Sequence, residues 1–269
     1  IMLAAIPSSG SSQSWRSVSM SRQVSSTEET LDVRVRFGAG RLSIDPAEAG
    51  TLYRMNLRYD EEGFEPVAHF EGGRLDLGVH ATDRKLRWKK DDTQEMELLL
   101  SRDVPMDLDL EFGAVRADID LGGLAMRQLD LHTGASESRV DISELNPLRM
   151  TLATFEVGAA DFHLRNLGNL NAEAITVDAG VGNVVLDFRG EWQGDASASV
   201  DMGLGALELR FPEGLGVRLS KDTFLTSLDS EGLVKRGDSY YSVDWEEAEH
   251  RVTVTVDAAF GSIDVVWVR

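Results

Sequence analysis

Met106-Asp-Leu-Asp-Leu-Glu-Phe-Gly113-Ala-Val-Arg-Ala-Asp-Ile-Asp-Leu121 reads as an alternating strand, a glycine corner and a second alternating strand. Met106, Leu108, Leu110 and Phe112 share one face, and Asp107, Asp109 and Glu111 share the other. Side chains along a strand point to opposite faces in turn, so this run describes a strand with one apolar, buried side. Beyond Gly113 the alternation resumes, with Val115, Ala117, Ile119 and Leu121 inward and Arg116, Asp118 and Asp120 outward.

The same phrase recurs around Gly134, Gly158, Gly180 and Gly203, at spacings of 21, 24, 22 and 23 residues counted from Gly113. An early copy runs from Leu31 through Gly38 and Gly40 to Ile44, and a late one from Val252 through Gly261 to Trp267. A fixed period of this size marks stacked units, each burying its apolar edge against the next. The expected fold is all-β: a single-stack β-solenoid with Gly38, Gly40, Gly113, Gly134, Gly158, Gly180, Gly203 and Gly261 at its corners. Glycine suits a corner because it accepts positive φ and leaves room where coils crowd together. The corner glycines should therefore align along a common edge, with no helix between them. A sandwich of short hairpins is the competing architecture, and hairpins favour Asn-Gly or Asp-Gly turns. Neither dipeptide occurs; Gly-Ala, Gly-Val-Gly and Gly-Leu-Gly stand there instead.

Three segments follow from the pattern. Residues 1–30 read as an extended, serine-rich arm, 31–104 as a less regular β-rich cap, and 105–269 as the solenoid. Gly261 follows Gly203 by 58 residues, so 221–251 is expected to interrupt the period with a hairpin. Short runs in the cap at 67–70, 74–79, 86–88 and 96–100 are punctuated by Gly63, Gly72-Gly73 and Asp91-Asp92. The chain opens Ile1-Met2-Leu3-Ala4-Ala5-Ile6, which is expected to be the end of a processed leader or anchor. The serine-rich stretch after it buries too little apolar surface to order itself, so the arm is the expected docking element. Ile1, Met2, Leu3, Ile6, Trp15, Val18 and Met20 are its candidate partner-binding residues.

The 269 residues carry a net charge of −19, and 105–219 alone hold 19 acidic against 8 basic side chains. Acids on outward strand positions solvate the rod and discourage foreign strands from pairing with it. They disfavour nucleic acid or an anionic lipid surface as partner, since phosphates need positive charge. Cysteine is absent, which removes disulfides, zinc–thiolate sites and thiol nucleophiles. No apolar run is long enough to cross a bilayer as a helix.

Motifs for chemistry are lacking. No G-x-S-x-G, H-E-x-x-H, P-loop or dinucleotide glycine pattern occurs, and the Gly-x-Gly corners lead into strands rather than helix amino termini. His69, His80, His132, His163 and His250 have no metal-ligand spacing. Asp118, Asp120, Asp141 and Arg139 are the candidates for a carbohydrate-active β-helix. Acid–base work needs carboxyls in different environments, whereas these acids recur in equivalent, solvated positions. Calcium on the paired aspartates would need the glycine-aspartate nonapeptide, which is missing. No catalytic, cofactor or metal residue is assigned.

The runs Leu31–Ile44 and Leu100–Leu121, each with a Gly-Ala corner between alternating strands, resemble the bacterial toast-rack β-solenoid domains. Those are related to the carboxy-terminal half of LiaF-type envelope-stress proteins and to adhesin domains. The resemblance covers residues 31–219. It implies an extracytoplasmic, non-enzymatic interaction protein without cofactor. Gly113, Gly134 and Gly158 lack the second glycine of the Gly-Ala-Gly corner, so their coils are expected to bend differently. An acidic rod with a docking arm is also similar to membrane-extrinsic accessory subunits of bacterial photosynthetic reaction-centre assemblies. The expected function is thus a scaffold subunit that binds other proteins of a membrane complex, touching the membrane only peripherally through the amino terminus. A surface adhesin or envelope-stress sensor, working through the solenoid face itself, is the alternative; outward positions such as Asp107, Asp118 or Asp187 would then govern binding.

Overall fold

A computed structural model describes residues 14–82 and 93–269. The strands are β1 (Trp15–Gln23), β2 (Leu31–Pro46), β3 (Thr51–Asp60), β4 (Phe64–Glu71), β5 (Arg74–Ala81), β6 (Glu95–Leu100), β7 (Met106–Asp120) and β8 (Met126–Asp141). They continue with β9 (Met150–Arg165), β10 (Ala172–Asp187), β11 (Ala196–Pro212), β12 (Gly216–Asp229), β13 (Leu233–Arg236), β14 (Ser239–Ser242) and β15 (Arg251–Val268). The expected all-β solenoid is what the chain forms. Eight long strands run parallel in the order β2-β7-β8-β9-β10-β11-β15-β12.

Each long strand is bent at its corner into two limbs. Burial alternates up to Phe112, then resumes at Val115, so the inward face changes parity across the corner. Phe155 and Phe162 come from opposite limbs of β9, yet their ring centroids lie 6.2 Å apart. The two limbs thus face one another across a shared core. That core is built of in-register files: Val33, Leu108, Leu129, Ala153, Ile175, Ala198, Val254 and Leu219 stack along one line, all buried. Each buried aliphatic side chain is worth roughly 1.5–3 kcal/mol against exposure. A one-residue slip would turn a whole file out to water, which is why the register holds.

Two glycine files form the corner, for different reasons. Gly38, Gly113, Gly134, Gly158, Gly180 and Gly203 follow one another, and none has positive φ. At Gly113, Gly158, Gly180 and Gly203 the requirement is space: a Cβ on Gly158 would lie 2.9 Å from the Gly134 oxygen, and one on Gly180 2.8 Å from the Gly158 oxygen. The second file holds Gly40, Gly182, Gly205 and Gly261 at φ between 135° and 148°. Gly261 therefore belongs with Gly205, its register partner, and not with Gly203 as the spacing implied. Val115, Ser136 and Ala160 occupy this second position in the middle coils without positive φ, so those coils do turn differently.

The remaining departures are local. Trp15–Gln23 of the serine-rich arm forms β1, paired antiparallel with β3 through nine residues; its order comes from within the chain. Leu31–Pro46, placed by sequence in the cap, is a full coil strand against β7. Beyond it β5 covers the first limb of β2 and β6 the second. Of the segment expected as an insertion, Lys221–Asp229 continues β12, and β13 and β14 form a hairpin whose β14 pairs antiparallel with β12. The long gap before Gly261 arises because β15 returns to lie between β11 and β12. One 3-10 turn, Leu167–Leu170, breaks the expectation of a helix-free array. It sits on the return between β9 and β10, outside the strands, and leaves their register intact.

Candidate interaction surface

The outward positions of the array also stack into files, and their charges are not distributed evenly. Beside the first glycine file runs Arg36, Glu111, His132, Glu156, Asp178, Asp201, Asp257 and Asp222. At the amino-terminal end charges alternate: Arg36 Nε donates to Glu111 at 3.0 Å, and His132 Nδ1 lies 3.0 Å from Glu156. From β10 onward four aspartates follow one another with no ion pair among the described residues. Adjacent strands lie about 4.8 Å apart, so these like charges are direct cross-strand neighbours. Partial burial raises the Asp178 carboxyl above the usual range, and the neighbouring Asp201 and Glu156 charges push it further the same way.

A shallow groove of about 910 Å³ follows this acid file, with Gly158, Gly180 and Gly203 in its lining. The absent side chains of the first glycine file make the trough. Past the first glycine file, outside the groove's own lining, stands the residue between the two glycine positions. That file reads Ala39, Ala114, Ala135, Ala159, Val181, Leu204, Phe260 and Leu225. It is alanine in the first four coils and large and apolar in the last four. Sequence reasoning singled out the glycines and passed over the residue between them; its change from Ala39, Ala114, Ala135 and Ala159 to Val181 and Leu204 was available from the aligned copies, whereas Phe260 and Leu225 join the file only through the observed register.

The candidates for chemistry have structural duties. Asp120 accepts from the Gly122 and Ser143 amides and from the Ser143 hydroxyl at 2.7 Å, tying one return loop to the next. Asp141 is held by Arg165 at 2.8 Å and by Asn166 at 2.6 Å. Arg139 lies opposite Asp118 in register and bridges to Glu137 at 3.0 Å. Among the described residues no group of three His, Asp or Glu side chains is placed to share a metal ion. Asp187, expected on the outside, is wholly buried and is gripped by the Arg189 guanidinium and amide.

The arm residues divide. Val18 and Met20 pack against the core, and Trp15 lies under the Arg58 guanidinium, 4.3 Å from its ring centroid. Ile1, Met2, Leu3 and Ile6 lie outside the described residues, as does the cap run at 86–88. Sequence reasoning also missed the asparagines of the return loops. Buried Asn146 accepts from the Met126 and Leu148 amides and donates to the Met126 and Leu170 carbonyls. Asn169 donates to the Ile142 carbonyl and accepts from the Glu191 amide. Spacings of 20 to 25 residues between polar amides were the only signal.

The family described as "N-terminal domain of toast_rack, DUF2154" matches residues 8–165 and again 146–210. A comparison with curated proteins returned no match. Among solved structures, a "putative cell adhesion protein" from Clostridium sporogenes is 15% identical, covers 94% of this chain and 100% of its own, and superposes with a TM-score of 0.47. A "putative adhesin" from Bacteroides fragilis is 11% identical over 94% and 99% of the two chains, with a TM-score of 0.41. A "putative lipid binding protein" from Parabacteroides distasonis is 9% identical over 94% and 96%, with a TM-score of 0.42. All three values fall below 0.5, and the family assignment rests on the domain match.

Proposed function

The chain belongs to the toast-rack family, and from that premise we propose that it is a non-enzymatic, extracytoplasmic interaction protein of adhesin type, working through its solenoid face. The observation that carries this reading is the run of unpaired aspartates along an open trough on a rigid, continuously hydrogen-bonded rod. Such a surface offers extended contact and no enclosed place for a reaction. Asp120 and Asp141, two of the carboxylates first considered for catalysis, are occupied in holding return loops. No helix among the described residues is long and apolar enough to cross a membrane.

Docking through the amino-terminal arm onto a membrane complex, a photosynthetic one included, finds no support in the comparisons. The pairing of β1 with β3 also makes Trp15–Gln23 part of the folded body. Face-mediated contact is the reading we favour.

Retention of the full chain on immobilised bacterial envelope protein and polysaccharide fractions, with soluble sugar and peptide release followed in parallel, tests this. Saturable retention without released product is expected, reduced at least fivefold by the double change Asp178→Lys, Asp201→Lys and unaffected by removal of residues 1–13. Product release, or retention indifferent to the charge reversal, overturns it.

A further inference from the structure

The carboxy-terminal half of the corner exposes a row of large apolar side chains that the core does not explain. Val181 is 52% exposed, Leu204 49%, Phe260 45%, Leu225 64% and Phe224 77%. These are five of the nine large hydrophobic residues exposed among the described residues; the register places Val181, Leu204, Phe260 and Leu225 side by side, and Phe224 stands next to them at the end of the first glycine file. Phe224 and Phe260 meet edge to face with centroids 5.9 Å apart. Single exposed hydrophobics are ordinary; a contiguous row is a mark of contact. Parallel to it, on the other side of the first glycine file, runs the uncompensated file of Asp178, Asp201, Asp257 and Asp222.

We propose that these two files together form a docking surface for a basic amphipathic α-helix lying along the rod. The proposal deepens the reading of the chain as an interaction protein and rests on it. Charge selects the partner: four carboxylates without counter-ions complement a stripe of Lys or Arg, and opposite charges meeting across an interface steer and orient it. The same charge disfavours a second copy, whose own acid file would be brought against this one, and an anionic membrane.

Spacing selects the partner's conformation. From Val181 to Leu225 there are three strand steps, about 14 Å at the usual separation of strands. Three helical turns span about 16 Å, a mismatch of roughly 2 Å. An extended peptide places same-side residues about 6.7 Å apart, roughly 20 Å over three steps. A helix whose apolar and basic stripes lie side by side can seat Leu-type anchors on the ridge and its cations over the aspartates, the helix-in-groove mode of recognition.

The test uses the full chain and three fluorescent 18-residue peptides. One carries Leu and Lys at helical spacing, one carries the same residues in strict alternation, and one is the helical design with Glu for Lys. Anisotropy titration should show the basic helical peptide binding at least tenfold more tightly than either of the others, with affinity falling as salt rises. Leu204→Ser with Phe260→Ser should weaken it at least tenfold. Asp201→Asn with Asp257→Asn should weaken it about fivefold and flatten the salt dependence, while Glu65→Gln on the distant β4 leaves it unchanged. Should the first double variant lose its strand signal in circular dichroism, Val181→Thr with Leu225→Thr supplies the same comparison. Equal binding of the alternating or acidic peptide, or ridge variants that keep full affinity, overturns the proposal. So does ridge-dependent dimerisation of the chain without peptide. Failure here with envelope retention intact sinks the docking assignment alone; loss of both sinks the reading beneath it.

Discussion

Gly205 and Gly38 both sit at coil corners, yet only at Gly205 do backbone and neighbours demand glycine. Gly205 has φ of 148°, and a Cβ would run into the Gly182 carbonyl of the coil below. Gly38 has no positive φ and open space where its Cβ would lie. Gly205→Ala should therefore cost more than about 3 kcal/mol, by backbone strain and overlap together. Gly38→Ala should stay within about 0.5 kcal/mol of the parent. Urea unfolding of the two variants checks this, and equal costs would show that the corner is set by something other than the second glycine file.

Asp178 supplies the matching electrostatic experiment. Its folded-state carboxyl is raised by burial and by Asp201 and Glu156, so the folded chain holds that proton more tightly than the unfolded one. The ionised form then costs stability above the raised value, and acidification through it removes the cost. Asp201→Asn should raise stability at neutral pH by roughly 0.2–1 kcal/mol, the scale of a like-charge cross-strand pair, and the gain should shrink as pH falls toward the carboxylate range. Melting temperatures of parent and variant from pH 4 to 8 decide it. Identical curves at pH 7 would mean the file is screened or neutralised by something else.

At the scale of elements, the long parallel strands were legible because alternation and period agree. Leu108, Leu110 and Phe112 alternate with acids, and the copies align at their glycines. The edge strand β1 was not legible. Ser17, Ser19 and Ser21 look like a solvated linker, but they face outward while Val18 and Met20 cover the core. A serine-rich strand is stable when a neighbour supplies its hydrogen bonds, and composition cannot report on the neighbour. Removing residues 1–23 should leave the array folded and lower unfolding stability by about 2 kcal/mol, from the apolar cover lost at Val18 and Met20. It should also bare the β3 edge to aggregation. Urea unfolding and size-exclusion chromatography of the shortened chain measure both effects; an unchanged midpoint would mean β1 contributes nothing to the fold. The asparagine return loops were hidden for a related reason: Asn146 matters through carbonyls and amides 20 and 24 residues away.

For the molecule as a whole, local pattern was sufficient to settle that the chain is a stack of bent parallel strands with an aliphatic interior. Alternation and a glycine period are properties of neighbouring residues, and burial of one strand face is enough to enforce them. Which coil lies beside which at the carboxy-terminal end was decided only by tertiary contacts. β15 slips between β11 and β12, against chain order, and so brings Asp257 between Asp201 and Asp222 and Phe260 between Leu204 and Leu225. The acid file and the apolar ridge exist because residues far apart in the chain share a hydrogen-bonded register, and hydrogen bonding between backbones carries no mark in the sequence of either partner.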